Sequence, residues 1–344
     1  MSIIKRTQPL SWRIAFFACN FFLLMGACSQ EESPSSSSLS ASPILLSGSM
    51  GGSDISASTR GVLDGSSTTA INVSFIRRDQ GTDGSYPSFA TLSPVKATRA
   101  AVAGTAAGNI TFEKGSEQYY LVRETNNNTA LLGWYPQVGA GCTYANGVIT
   151  FSGIADGVTD IMLTKEQTGN KTTAVSSFVF EHVLAQIQVK AKAVDATAAA
   201  NWGKVTGITL KGVKGTCVVT LPTATTVSTT LLTPDFGTAT TTNIALKAIG
   251  SDTQIALTAA IPTTAGTVGS AFCYGLFPPT GGNTLALDVV TEKGGTRSVT
   301  ATLSSGTITK GNIYTVTLEF KSTDITPTAT ISSWGTGSGA NVEM

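Results

Sequence analysis

Short runs of alternating apolar and polar residues recur along the chain from about residue 71 onward, separated by Gly, Asn, Asp and Pro. Because successive side chains of a strand point to opposite faces of a sheet, such alternation places one set in a core and the other in water. Regularly spaced short strands with turn residues between them predict a β-sandwich. The predicted strands cover residues 71–77, 110–115, 117–122, 148–154, 178–191, 205–212, 217–221, 254–261, 271–277, 284–290, 298–303 and 313–320.

The run at residues 178–191 is the one segment that helix propensity could also accommodate. Ile187, Val189 and Ala191 alternate there with polar residues, which favours a strand. Heptads and long helical stripes are absent from the sequence. We therefore expect an all-β protein.

The length of the chain is sufficient for two β-sandwich domains, and the strand-rich pattern continues on both sides of residue 176. The polar stretch at residues 169–173 is a plausible junction. The predicted organisation is a signal peptide at 1–27, a tether at 28–60, an N-terminal domain at 61–176 and a C-terminal domain at 177–344.

Composition indicates where such a protein works. The hydrophobic fraction of 41% can form packed cores, whereas the charged fraction of 12% is about half of the ~25% typical of soluble domains. Thr, which is both β-branched and polar, suits a solvated sheet face. These features favour an extracellular β protein. The net charge of +1 offers no field to hold nucleic acid, so no nucleic-acid partner is expected.

The N-terminus has the features of a bacterial lipoprotein signal. Lys5, Arg6 and Arg13 precede an apolar run at residues 14–27, which is shorter than the about 20 residues that span a bilayer comfortably. The run ends in LMGAC, and small residues before a cysteine are what a lipoprotein signal peptidase requires. We predict lipidation at Cys28 and anchoring in the outer membrane by its acyl chains. The alternative is an ordinary secretory signal that happens to contain this cysteine.

The residues after the cysteine predict surface exposure and a flexible tether. Two acids follow in SQEE, at residues 29–32, which resembles the surface-export signal of some lipoproteins. The Ser-rich stretch at 33–42 is too polar to fold.

Candidate catalytic residues are few. The chain has one histidine, His182, and lacks the GxSxG, HExxH, P-loop and EF-hand patterns, so we expect no enzyme activity, cofactor or metal. A hydrogen-bonded structural role for His182, at a strand edge or domain junction, is favoured over a ligand role. Asp156 and Asp160 could form a carboxylate pair, but a turn at Asp156 and a strand starting at Asp160 is favoured. The acids at 288 and 292 are expected to be solvated.

Cysteines and aromatic residues leave two questions open. Beyond the signal region, Cys142, Cys217 and Cys273 form no CxxC pair, which favours three small buried hydrophobic residues over one disulfide with a free thiol. Exposed aromatic faces could stack on sugars, but alternation makes one residue of each adjacent pair a core residue. The aromatic candidates are Tyr119, Tyr120, Trp134, Tyr135 and Trp334.

Several segments together resemble the fimbrillin family of type V pilins over about residues 110–335. They are GWYP at 133–136, VITF at 148–151, DG at 156–157 with DIM at 160–162, FVFEHVLAQI at 178–187, KGNIY at 310–314 and ISSW at 331–334. The resemblance implies two transthyretin-like β-sandwich domains, export as a lipoprotein, removal of an N-terminal segment after a basic residue, and assembly by strand donation.

Applied to this chain, the resemblance implies a removable first strand at residues 44–46 and proteolytic processing at Arg60, with Arg99 as a second candidate. The ordinary interpretation of Arg60 is a solvated loop residue. The Gly-rich segment after Trp334 is a poor donor strand. Either the donor starts earlier, at 326–331, or the subunit accepts a strand and donates none.

Two functions from different classes follow. The leading hypothesis is a structural or adhesive subunit of cell-surface fimbriae at the outer membrane. Its partners would be other fimbrial subunits, the membrane through the lipid anchor, and a host glycan or protein. The alternative is a glycan-binding surface lipoprotein of a polysaccharide-uptake system.

Overall fold

A computed structural model describes residues 41–50, 69–102, 107–121, 127–139, 141–175, 177–237, 241–250 and 259–333. Within these ranges the structure is built almost entirely of strands. They are β1 (Leu46–Met50), β2 (Ile71–Asp79), β3 (Val95–Arg99), β4 (Gly108–Phe112), β5 (Thr129–Tyr135), β6 (Cys142–Ala145), β7 (Val148–Phe151), β8 (Met162–Leu163), β9 (Gln167–Gly169), β10 (Phe178–His182), β11 (Ala185–Ala193), β12 (Lys204–Lys214), β13 (Cys217–Thr220), β14 (Thr241–Ala245), β15 (Lys247–Ala248), β16 (Ala259–Ala260), β17 (Cys273–Phe277), β18 (Thr284–Thr291), β19 (Gly295–Thr302), β20 (Asn312–Phe320) and β21 (Ile325–Ser333). The helices are α1 (Ala196–Trp202) and two single 3-10 turns, Phe89–Thr91 and Ile154–Asp156.

The first sheet closes on itself. Its strands follow the order β2-β3-β4-β1-β10-β8-β5, and β5 pairs back to β2, while β9 adds to β5. Inward residues of the ring form one apolar core, in which the Phe75 ring meets those of Phe112, Phe178 and Phe180 edge to face. Such contacts add stability beyond that from buried area.

The second half of the chain forms a sandwich. One sheet has the order β15-β17-β11-β20-β21 and the other β14-β12-β18-β19, with β16 paired to β12. The strands β11 and β20 run parallel over eight residue pairs. Apolar residues of both sheets, together with Trp202 of α1, make up its core.

A three-stranded sheet, β13-β7-β6, lies over the outer side of the ring. Its apolar residues share a core with Ile76, Leu132 and Trp134 of β2 and β5. Neighbouring residues on those strands, such as Phe75 and Leu131, point into the ring. Both faces of β2 and β5 are therefore buried over much of their length, which explains the nearly continuous apolar run of β5.

The all-β prediction is confirmed, and most predicted strands lie within a few residues of the observed ones. The prediction of one strand at 178–191 is wrong, because Val183 and Leu184 separate β10 in the ring from β11 in the sandwich. The predicted strand at 117–122 is described as far as residue 121, and there it forms only an isolated β-bridge between Tyr119 and Pro43. The short helix α1 was not predicted.

The two-domain division with its transthyretin-like detail stays a prediction, and the described residues form one compact unit. A cut at residue 176 would separate strands that pair with each other. The strand β10 follows that position but lies in the ring, and β13 pairs with β7. In the described part of the chain, no helix is long and apolar enough to cross a membrane.

Candidate functional site

The first strand completes the ring from a remote position in sequence. It lies between β4, to which it is antiparallel, and β10, to which it is parallel. Ile44, Leu46 and Met50 point into the core, whereas Leu45 is 77% exposed. The backbone N–H of Ile44 donates to the carbonyl of Gln118 at 2.8 Å, which extends the pairing beyond the strand. The predicted first strand at 44–46 therefore overlaps the start of the observed one.

A buried arginine contacts this strand from β3. The Nε–H of Arg99 donates to the carbonyl oxygen of Gly48 at 2.7 Å, and the arginine is fully buried. Burial lowers the pKa of its guanidinium. As a processing site Arg99 is poorly placed, because a protease would need β3 to leave the sheet. The other predicted processing and lipidation residues, Arg60 and Cys28, lie outside the described residues and stay predictions.

The histidine is paired in the interior. Its Nδ1 lies 2.9 Å from Oδ2 of Asp160, and both side chains are almost fully buried. The backbone N–H of the next residue, Val183, donates to the carbonyl of Ile161 at 3.0 Å. The pair therefore sits where the chain leaves the ring for the sandwich, which agrees with the predicted structural role at a junction. Burial, then the charge of Asp160, raises the pKa of the nearby Tyr135 hydroxyl.

The other carboxylates serve local structure. Asp156 is exposed and accepts hydrogen bonds from the backbone N–H groups of Val158 and Thr159, in the turn predicted from sequence. It does not share a site with the buried Asp160. Asp288 accepts from the hydroxyl of Ser298, and that bond lowers its pKa, aided by Lys211. The carboxylate of Glu292 accepts a hydrogen bond from the backbone N–H of Lys204, the first residue of β12, at 3.2 Å. Among the described residues no group of His, Cys, Asp and Glu could hold a metal ion.

Cys142, Cys217 and Cys273 are free thiols in apolar surroundings, as favoured from sequence. Burial raises the pKa of Cys142 to about 11 and that of Cys217 to about 12. It also raises the pKa of Cys273. Such thiols are unreactive because the thiolate is the nucleophile.

The aromatic candidates for sugar binding are divided between the core and the surface. Trp134 is fully buried and its ring stacks on that of Tyr144 at a centroid distance of 6.1 Å. Tyr120 is buried, and its hydroxyl accepts from the backbone N–H of Val175 at 2.7 Å. Tyr119 is 43% exposed, so one residue of this adjacent pair is in the core as expected. Trp334 lies outside the described residues.

A buried ion pair that sequence reasoning missed holds a long loop of the second half against the ring. Arg78 donates to both carboxylate oxygens of Glu166, from Nε at 2.6 Å and Nη2 at 2.8 Å. It also donates to the carbonyls of Ala224 and Thr226, both at 2.8 Å. Glu166 accepts in addition from the backbone N–H of Ser228 at 2.9 Å. The sequence signal was a charged residue two positions after Ile76 within a continuous strand.

Solved structures with the same fold include two from Bacteroides species. A candidate cell adhesion protein from Bacteroides uniformis is 17% identical, with a TM-score of 0.54 over 85% of this chain and 98% of that chain. Another from Bacteroides ovatus is 17% identical, with a TM-score of 0.51 over 87% of this chain and 100% of that chain. At this identity the likeness shows the fold alone. Among curated protein sequences, none matches this chain significantly. The sequence profile described as fimbrillin-like matches residues 68–334.

Proposed function

Because the chain belongs to the fimbrillin-like family, we propose that it is a structural or adhesive subunit of cell-surface fimbriae, joined to other subunits by strand donation. Family membership favours a non-enzymatic role and a position at the cell surface. The proposal includes export as a lipoprotein anchored in the outer membrane through Cys28. It also includes removal of the first strand by cleavage at Arg60.

The observation that carries the proposal is the placement of β1. It is a five-residue strand inserted between β4 and β10, and the segment that connects it to β2 contains Arg60. Cleavage there would leave the strand held by pairing and packing alone. Its departure would expose unpaired backbone groups on β4 and β10, an edge that invites another strand.

The energy available to an incoming strand follows from the side chains of the present one. Ile44, Leu46 and Met50 are each at least 95% buried. At ~1.5–3 kcal/mol for each buried side chain, three such anchors give about 5–9 kcal/mol before the cost of ordering. Backbone hydrogen bonds on both sides of the strand add to this. A donated strand would thus form a durable joint.

The last described strand bears on which segment could act as a donor. Residues 326–331, the earlier donor candidate, belong to β21, which pairs with β20 over nine residues. Its Ile325 and Ala329 are part of the sandwich core. Donation by this strand would therefore disrupt its own sandwich. This favours a subunit that accepts a strand.

Strand exchange is tested on the full exported chain, residues 28–344. The chain is cleaved with a trypsin-like protease and mixed with a fluorescent peptide of residues 41–50. Cleavage near Arg60 should let the peptide replace the retained first strand, which raises its fluorescence anisotropy. The Arg60→Ala variant should block the exchange, whereas Lys96→Ala, at an exposed position of β3, should not. A peptide that stays free after verified cleavage would contradict strand exchange.

A further inference from the structure

The first strand contains one glycine where its pattern calls for a large residue. Its inward positions carry Ile44, Leu46, Gly48 and Met50. A Cβ atom at Gly48 would lie 2.9 Å from Cδ1 of Ile110 and 3.1 Å from a ring carbon of Phe180. Real Cβ atoms are almost never found as close as the first of these distances. The space at this position is therefore filled by the core.

The atoms that fill this space belong to buried side chains of the ring core. Ile110 is 5% exposed, and Phe180 is fully buried with its ring packed edge to face on Phe75 at 6.1 Å. Interiors are packed as densely as organic crystals, so one added methyl group is felt. A small shift of the Ile110 end admits a methyl group, whereas a large side chain at the Gly48 position would have to displace buried side chains of both β4 and β10.

A second glycine lets Arg99 reach the backbone at this point. Gly48 is paired with Gly108 of β4. A Cβ atom on Gly108 would lie 3.4 Å from Cγ of Arg99 and 2.6 Å from the carbonyl oxygen of Ala100. The arginine stem thus passes over Gly108, and its Nε–H reaches the Gly48 carbonyl at 2.7 Å. A buried guanidinium needs such an acceptor, since leaving its donors unsatisfied is costly.

These contacts fix the register of whatever strand occupies the groove. A slip by one residue would turn every inward side chain outward. A slip by two residues would keep the correct face inward, but it would place Leu46 or Met50 at the position of Gly48, where the core leaves no room for a large side chain. The groove therefore distinguishes strands by the location of a glycine.

Building on the strand exchange proposed above, on which it rests, we infer that the groove selects a donor with one glycine among large apolar residues. Read in the direction of β1, the donor has large apolar residues at the positions of Ile44, Leu46 and Met50 and a glycine at the position of Gly48. Any residue is allowed at the three positions between them. Residues 321–344 of this chain contain no glycine in that setting in either direction. Residues 321–344 of a second copy therefore do not fit. The first strand of a second copy carries the pattern, but cleavage at Arg60 separates it from its own subunit, so it cannot join two subunits. The occupant is thus a segment of a different protein that carries the pattern.

The test uses the full exported chain with a site for a sequence-specific protease inserted after Arg60. After cleavage is verified by mass spectrometry, four labelled peptides are compared by fluorescence anisotropy. They are residues 41–50, the same peptide with Gly48→Val, the same peptide with Ser47→Val, and residues 326–344. Ser47 points away from the ring core and serves as the matched control.

The native and Ser47→Val peptides should enter the groove at similar rates. The Gly48→Val peptide and the 326–344 peptide should enter at least tenfold more slowly, and cleaved chain without peptide should stay monomeric in size-exclusion chromatography. Entry of Gly48→Val within twofold of the native peptide would overturn glycine selection while strand exchange stands. Entry of 326–344 at the native rate, or oligomers of the cleaved chain alone, would overturn the assignment to a different protein. Failure of the native peptide would overturn the proposed strand exchange and this inference with it.

A measurement on the uncut chain tests, independently of strand exchange, whether the core excludes a large side chain at the Gly48 position. Gly48→Val should lower the thermal unfolding midpoint clearly more than Ser47→Val does. Equal midpoints for the two variants would overturn the inference, because they would show that the core accepts a side chain at this position.

Discussion

Replacing Arg78 by Met should destabilise the fold strongly. The substitution keeps an unbranched apolar chain of similar reach but removes the guanidinium that meets Glu166. It also removes the donors to the carbonyls of Ala224 and Thr226. The Glu166 carboxylate would remain fully buried with the backbone N–H of Ser228 as its remaining observed donor.

The magnitude follows from the burial of both partners. Removing one member of a buried ion pair costs about 3–5 kcal/mol, because it leaves an uncompensated charge in the interior. With a urea m-value of about 3 kcal/mol/M, a loss of about 4 kcal/mol lowers the unfolding midpoint by roughly 1.3 M. The double variant Arg78→Met with Glu166→Leu removes both charges and should recover about 2 kcal/mol of the loss.

Urea titration followed by tryptophan fluorescence measures these midpoints. The matched control is Glu319→Ala, which breaks the pair with Lys192 at 2.9 Å, where each side chain is about a quarter exposed. Partly solvated pairs contribute about 0–1 kcal/mol, so this midpoint should shift little. A shift for Arg78→Met no larger than that of the control would refute the reasoning. So would a double variant that loses the sum of the two single effects.

Two further predictions concern the buried polar groups. His182→Ala should lower the free energy of unfolding by about 1–3 kcal/mol, because the buried Asp160 carboxylate loses its contact with the imidazole. Thermal or urea unfolding measures this loss. His182→Asn, whose amide nitrogen can take the Nδ1 position, should recover part of the loss; equal losses would argue against the pair. At pH 8, Cys142, Cys217 and Cys273 should react with a thiol reagent after unfolding but not before. Because burial raises these pKa values from 9.0, folding holds the thiols protonated, so stability should fall as the pH rises from 9 towards 11.

Most of the predicted strands show a local period of two, which the sequence alone displays, but their partners could not be predicted. The strand β5, whose residues are nearly all buried, has no such period and was not predicted. At residues 183–184 two adjacent apolar residues are both buried, so the pattern offers no sign that the chain changes sheets there. The pairing of β1 with β10 joins residues about 130 positions apart, and no local signal specifies it. The helix α1 did have a signal, since Asp195 caps an Ala-rich run and accepts from the N–H of Ala198 at 2.7 Å.

The site could be predicted only in part for the same reason. In β3, Arg99 lies two residues after Ala97 and therefore on the same, inward face of the strand. The sequence could thus have indicated a buried cation. Its acceptor on Gly48 lies 51 positions away and depends on the closed ring. Similarly, Asp160 and His182 were each assigned a local role, and only the ladder between β8 and β10 brings them together.

The last prediction tests whether the first half of the chain folds alone, as its description as a domain implies. A fragment of residues 41–176 lacks β10, which pairs with β1 and β8 in the ring. It also lacks β13, whose apolar side chains cover Trp134 together with those of β6 and β7. Both losses expose core surface and unpaired backbone edges.

The fragment should therefore lack a cooperative urea transition and the near-UV circular dichroism of a fixed Trp134 ring. Extension to residue 182 restores β10 and should recover part of the signal, whereas extension to residue 237 also restores β13 and the loop that meets Arg78. Full recovery should need this longest fragment. If residues 41–176 unfold cooperatively with a full near-UV signal, the ring is an independent domain and the strands that cross residue 176 are dispensable for its fold.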